Sequence, residues 1–144
     1  MARLLAIDYG TKRVGVAVTD TSQLIASPLT TVATPELLVW LKAYVSAEPV
    51  AALVVGLPRH LDGGPTDTTP HVVGLVRILK KQFPELPIHT VDERFTSRMA
   101  HQTMLAGGLG RKARQDKAMV DKISAAIILQ SFMESRANEA GRQI

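Results

Sequence analysis

Six consecutive apolar residues, Val50 to Val55, stand between Pro49 and the breaker Gly56-Leu57-Pro58. A run that is apolar at every position, rich in valine and too short for a helix suits a strand buried on both faces, the situation of parallel strands covered by helices. Parallel neighbours need crossover connections, so the flanking segments should be helical. Upstream, Leu37, Leu38, Leu41 and Val45 recur at helical spacing, with Thr34 as the expected cap, Pro35 at the first helical position and Glu36 in the first turn. Downstream, residues 57–69 read as a loop with two prolines and two glycines. A helix then follows from about Pro70 to Phe83, with Val72, Val73, Val76, Leu79 and Phe83 on its inner side. Ile88-His89-Thr90-Val91 is a further strand, running into Asp92-Glu93-Arg94.

The N-terminal third has a different texture. Leu4–Ile7, Val14–Thr19 and Leu29–Val32 are short β-type runs, with breaks at Tyr9–Arg13 and Asp20–Gln23 and with Pro28 near the third. Such spacing predicts an antiparallel meander. At the other end, Thr96 is expected to cap a helix to about Leu105. Gly107, Gly108 and Gly110 lead into Arg111-Lys112-Ala113-Arg114, and a last helix spans about 116–136, carrying Val120, Ile123, Ile127 and Phe132. The order specifies an α/β fold: a mixed five-stranded sheet, three antiparallel strands followed by two parallel ones, with helices on both faces. It reads as one domain over 1–137 with a polar tail at 138–144.

Three carboxylates fall where such a sheet would place a site. Asp8 ends the first strand, Glu93 lies just past the last, and Asp121 sits on the last helix. Sites in α/β sheets gather at strand ends near a switch in strand order. Converging acids repel one another unless a cation neutralises them, and oxygen-only ligands suit hard cations such as Mg²⁺ or Mn²⁺. Two such ions about 4 Å apart support in-line phosphoryl displacement without a protein nucleophile. The chain has no cysteine, so thiolate sites and disulfides are excluded. Singly, each acid also has a plain structural reading: Asp8 as a turn acceptor, Glu93 paired with Arg94 or Arg98, and Asp121 as a helix acid between Lys117 and Lys122. Asp92 competes with Glu93, since neighbouring strand residues face opposite ways.

The residues around these acids carry a family resemblance. Ala6-Ile7-Asp8-Tyr9-Gly10-Thr11-Lys12-Arg13-Val14-Gly15-Val16-Ala17, Val54-Val55-Gly56-Leu57-Pro58, Val91-Asp92-Glu93-Arg94-Phe95-Thr96-Ser97 and Val120-Asp121-Lys122-Ile123-Ser124-Ala125-Ala126-Ile127-Ile128-Leu129-Gln130 resemble, in order, the motifs of the YqgF/RuvX family. Phe95 departs conservatively from the family's usual leucine. The resemblance implies a ribonuclease-H-like fold and an Asp–Glu–Asp metal site matched by Asp8, Glu93 and Asp121. It also implies a bacterial cytoplasmic nuclease acting on the 5′ end of precursor 16S ribosomal RNA or, by analogy with RuvC resolvases, on Holliday junctions.

The net charge of +4 over 144 residues fits a polyanionic partner. Lys12 and Arg13 flank Asp8 in the first hairpin. Arg94 and Arg98 are one helical turn apart, and Arg111, Lys112, Arg114 and Lys117 form the densest basic segment. All are candidates for contacting a phosphate backbone. Arg59 and His60 read more simply as loop residues, and Trp40 and Tyr44 as core or partner surface. The opening residues lack a signal-peptide pattern and no run reaches about 18–20 apolar residues, so a soluble cytoplasmic protein is expected, as a monomer or a homodimer. Two other functions compete. An actin-like ATPase would share the Asp8-Tyr9-Gly10-Thr11 hairpin but needs a second such domain. A non-catalytic nucleic-acid-binding scaffold needs the basic segment but not the acids.

Overall fold

The computed structural model describes residues 2–57, 68–92 and 117–142, with side chains of the last helix described over 118–136. Strands β1 (Arg3–Tyr9), β2 (Arg13–Thr19) and β3 (Ala26–Ala33) form the antiparallel meander. A single 3-10 turn at Thr34–Glu36 leads into helix α1 (Leu37–Ala47), then β4 (Val50–Leu57), helix α2 (Thr69–Gln82), β5 (Ile88–Asp92) and helix α3 (Lys117–Arg142). The sheet order is β3-β2-β1-β4-β5, with β1, β4 and β5 parallel. This is the expected mixed five-stranded sheet. The expected helix from Thr96 lies outside the described residues.

Strand alternation divides the core. Leu5, Ile7, Val14, Val16, Val18, Leu53 and Val55 face α1 and α2, where Leu37, Leu41, Val72, Leu75 and Leu79 complete a large aliphatic cluster. The opposite face is lined by smaller side chains, Ala6, Ala17 and Ala52 beside Leu4 and Val54, and α3 covers it with Ala125, Ile128 and Leu129. Small residues on both partners let a helix lie close to a sheet. Trp40 and Tyr44 stack on each other with ring centroids 5.1 Å apart and pack, partly buried, against the larger cluster.

Several local expectations are corrected. Thr34 does not cap α1: its hydroxyl donates to the Gly10 carbonyl at 2.7 Å, and the helix follows the proline-bearing 3-10 turn. On α2 the buried residues are Val72, Leu75 and Leu79, while Val73 is exposed. On α3 the buried stripe is Ser124, Ala125, Ile128 and Leu129 rather than Val120, Ile123 and Ile127, and the helix runs on to Arg142, past the expected end near 136. Strand β3 starts three residues early and takes in Pro28. It is an edge strand, and its pairing with β2 skips Leu29, so the proline's missing N–H costs no central ladder bond.

The β2–β3 turn is organised by Asp20. Its carboxylate accepts from the backbone N–H of Ile25 at 2.8 Å, Leu24 at 2.9 Å and Ser22 at 3.1 Å, and Gln23 beside it adopts a left-handed φ of 57°. The Ile25 bond, then the Leu24 bond, holds this carboxyl below the usual aspartate value of 3.8. A depressed folded-state pKa gives stability that is present above the unfolded value and is lost as pH falls through the folded one. The Asp20 side-chain carboxyl signal in NMR should therefore titrate below 3.8, and Asp20→Asn should flatten the acid limb of the stability–pH curve. An ordinary midpoint, or an unchanged acid limb, would contradict this.

Candidate active site

Asp8 lies near the carboxyl end of β1, half-buried, on the face that also carries Leu4 and Ala6 and is covered by α3. Its register partner on β2 is Gly15. Opposed residues of an antiparallel pair have Cα atoms roughly 4.5–5.5 Å apart. Gly15 has no side chain, and the backbone of Asp121 occupies the space: a methyl group at position 15 would overlap the Asp121 carbonyl. Gly15 thus lies between two acidic residues far apart in sequence, paired with Asp8 on one side and met by the Asp121 backbone on the other.

Other contacts fix the start of α3. The Thr31 hydroxyl on β3 donates to the Ala118 carbonyl at 2.6 Å. Arg13, two residues before Gly15 on the same face of β2, donates from Nε to Oδ2 of Asp121 at 2.8 Å. The two side chains are 37 % and 25 % exposed, and an ion pair that wet contributes at most about 1 kcal/mol. Packing therefore sets the position of Asp121, and Arg13 supplies the positive charge that two neighbouring acids require. Further along α3, Phe132 meets His89 of β5 at 4.9 Å, and Arg136 lies over the Phe132 ring while donating to Gln23 at 2.9 Å.

Of the residues singled out from sequence, Arg13 and Asp121 are in contact, and Asp8 is paired with Gly15, over which the Asp121 backbone lies. Lys12 is exposed at the tip of the first hairpin. Asp92 ends β5 at the same sheet edge, but strand alternation groups it with Ile88, which packs against the α1–α2 cluster, whereas His89 and Val91 turn toward α3. Glu93, Arg94, Arg98, Arg111, Lys112 and Arg114, with Arg59 and His60, lie outside the described residues, as does the side chain of Lys117. Among the described residues no three His, Cys, Asp or Glu side chains form a metal-binding group. The Arg13–Asp121 pair and the packing role of Gly15 were not foreseen. The signal for the second was available: a lone glycine inside a β-branched strand marks a close backbone approach.

A five-stranded mixed sheet of this order, with helices on both faces, is the ribonuclease-H-like fold expected from the sequence. The solved RuvC of Thermus thermophilus in complex with Holliday junction substrate superposes with a TM-score of 0.52 at 17 % identity, covering 92 % of this chain and 96 % of that one. A second Thermus thermophilus RuvC structure also gives 0.52, at 15 % identity, covering 94 % and 96 %. At these identities the likeness concerns the fold. The family model "RuvX: Holliday junction resolvase" matches residues 2–135, and the chain belongs to that family. A relative in Bacteroides thetaiotaomicron named "Putative pre-16S rRNA nuclease" is 54 % identical over 94 % of this chain and 99 % of its own length. A relative of the same name in Christiangramia forsetii is 53 % identical over 92 % and 98 %.

Proposed function

We propose that this protein is a divalent-cation-dependent nuclease, that Asp8, Glu93 and Asp121 hold the cation, and that its substrate is the 5′ region of precursor 16S ribosomal RNA. The observation that carries the reading is the juxtaposition of Asp8 and Asp121 across Gly15. The donor set fits Mg²⁺ or Mn²⁺: both described groups are carboxylates, and one already accompanies a cationic group. The family motif Val91-Asp92-Glu93-Arg94 favours Glu93 over Asp92 as the third ligand. Bound there, one or two such ions would supply Lewis-acid polarisation of a phosphodiester and a water nucleophile at neutral pH.

The chain's own residues have the remaining tasks. The acids orient the reacting phosphate by holding its counter-charge, and rigid neighbours on β1, β2 and α3 preserve their spacing. Lys12, Arg13, Arg94, Arg98, Arg111, Lys112, Arg114 and Lys117 hold the flanking backbone, a role their charge suits and one that makes binding salt-dependent. No helix among the described residues is long and apolar enough to cross a membrane, and we place the protein in the cytoplasm with the ribosomal precursors.

The family description favours a second reading, resolution of four-way DNA junctions. That activity needs a two-fold dimer so that opposed strands are cut symmetrically, whereas RNA trimming works with a monomer or a homodimer. Purified protein given an end-labelled precursor leader and a four-way junction in equal amounts, with Mg²⁺ or Mn²⁺, should cut the leader at least about tenfold faster. Paired symmetric nicks in the junction with the leader intact would move the assignment to the resolvase.

A further inference from the structure

Arg13 is not where a dedicated phosphate ligand would rest. Its Nε is spent on Asp121, at 2.8 Å, beside the carboxylate that the proposed site needs for a cation. A cation shared by Asp8 and Asp121 and the Arg13 guanidinium compete for the same carboxylate. We infer that Arg13 is a displaceable counter-ion: it neutralises Asp121 while no divalent cation is held, and on cation uptake it is released to a substrate phosphate. The inference rests on the cation site proposed above.

Three features support exchange over a fixed tether. First, the pair is partly solvated, so breaking it costs little. Second, α3 does not need it: the Gly15 contact, the Thr31–Ala118 bond and burial of Ala125, Ile128 and Leu129 already hold the helix on the sheet. Third, the backbone beneath Arg13 is fixed. Arg13 pairs with Ala33, the Thr34 N–H donates to the Lys12 carbonyl at 3.1 Å, and the Thr34 hydroxyl donates to Gly10. Only the side chain has to move. A guanidinium suits the second position as well as the first, since its planar fork matches phosphate as it does carboxylate. The device ties phosphate binding at this residue to a loaded site.

The test is a Mn²⁺ titration read by the electron paramagnetic resonance of the free ion, on wild type, Arg13→Gln, Arg13→Lys and Asp8→Asn. Circular dichroism would verify that each variant is folded. Arg13→Gln should take up Mn²⁺ about three- to fivefold more tightly, the scale of a half-exposed ion pair. Arg13→Lys should stay near wild type, and Asp8→Asn should bind much more weakly. With Ca²⁺ in place of the catalytic ion, Arg13→Gln should bind a leader oligonucleotide more weakly, with a salt slope reduced by about 1. In the wild type, the Arg13 Nε–H resonance should shift on addition of Mg²⁺. A tether would give the reverse for the ion: Arg13→Gln binding Mn²⁺ equally or more weakly, which overturns the inference alone. No Mn²⁺ uptake by wild type would overturn the cation site and this inference together.

Discussion

Replacing Gly15 by alanine should lower the melting temperature by about 10 °C. The residue is buried on β2, and an added methyl would run into main chain, the Asp121 carbonyl, rather than into a side chain that can turn away. Overpacking a tight site costs about 1–3 kcal/mol, and a backbone obstacle puts this case at the upper end. Alanine recovers about 0.4–1 kcal/mol through the unfolded chain, which does not reverse the sign. For a chain of this length, 1 kcal/mol moves the midpoint by about 4 °C. Gly74 is the control, because it lies on α2 with nothing within 4 Å of an added methyl. There the same change should stabilise, by up to about 1 kcal/mol of helix propensity. Thermal melts of the two variants, followed by circular dichroism, should move in opposite directions. A Gly15→Ala protein melting with the wild type would mean that α3 does not sit on β2 as described.

The second large effect concerns chemistry rather than stability. Asp8→Asn and Asp121→Asn should each lower single-turnover cutting by at least about a hundredfold, the scale of losing one preorganised electrostatic contact at a reacting group. Both substitutions conserve shape, and both sites are only half-buried, so the fold should survive. The double variant should be scarcely slower than either single one, because ligands that act as a unit give non-additive losses. Asp121→Asn also removes the partner of Arg13, yet that pair adds at most about 1 kcal/mol to stability. A large rate loss with a small change in melting temperature is the expected signature. Unchanged rates would favour the scaffold reading.

The sheet was legible because its signals are local. A short apolar run, Leu4–Ile7, marks β1, valine-rich runs mark β2 and β4, and the wholly apolar stretch at Val50–Val55 marks a parallel strand covered on both faces. The limits of β3 were less so: Ala26 and Ser27 carry little strand signal, and pairing with β2 recruits them. The α3 stripe was misjudged for a related reason. Ile123 and Ile127 stand out as apolar, but a sheet face lined by Ala6, Gly15, Ala17 and Ala52 accepts a close helix, which turns Ser124 and Ala125 inward. On α2, several valines and leucines share the helix, and only the sheet decides that Leu75 rather than Val73 is covered. In the site, the positions of Asp8 and Asp121 followed from strand and helix order. The Arg13–Asp121 pair spans 108 residues of sequence, and no local pattern encodes it. Glu93 rests on its motif alone.

The most direct measurement is single-turnover cutting of the labelled precursor leader by wild-type protein as Mg²⁺ is removed with a chelator and then restored. Cutting should vanish with the ion, return with it, and fail to return in Asp8→Asn at the same concentration. Cutting that persists in excess chelator, or is restored equally in Asp8→Asn, would contradict a cation site built on Asp8 and Asp121.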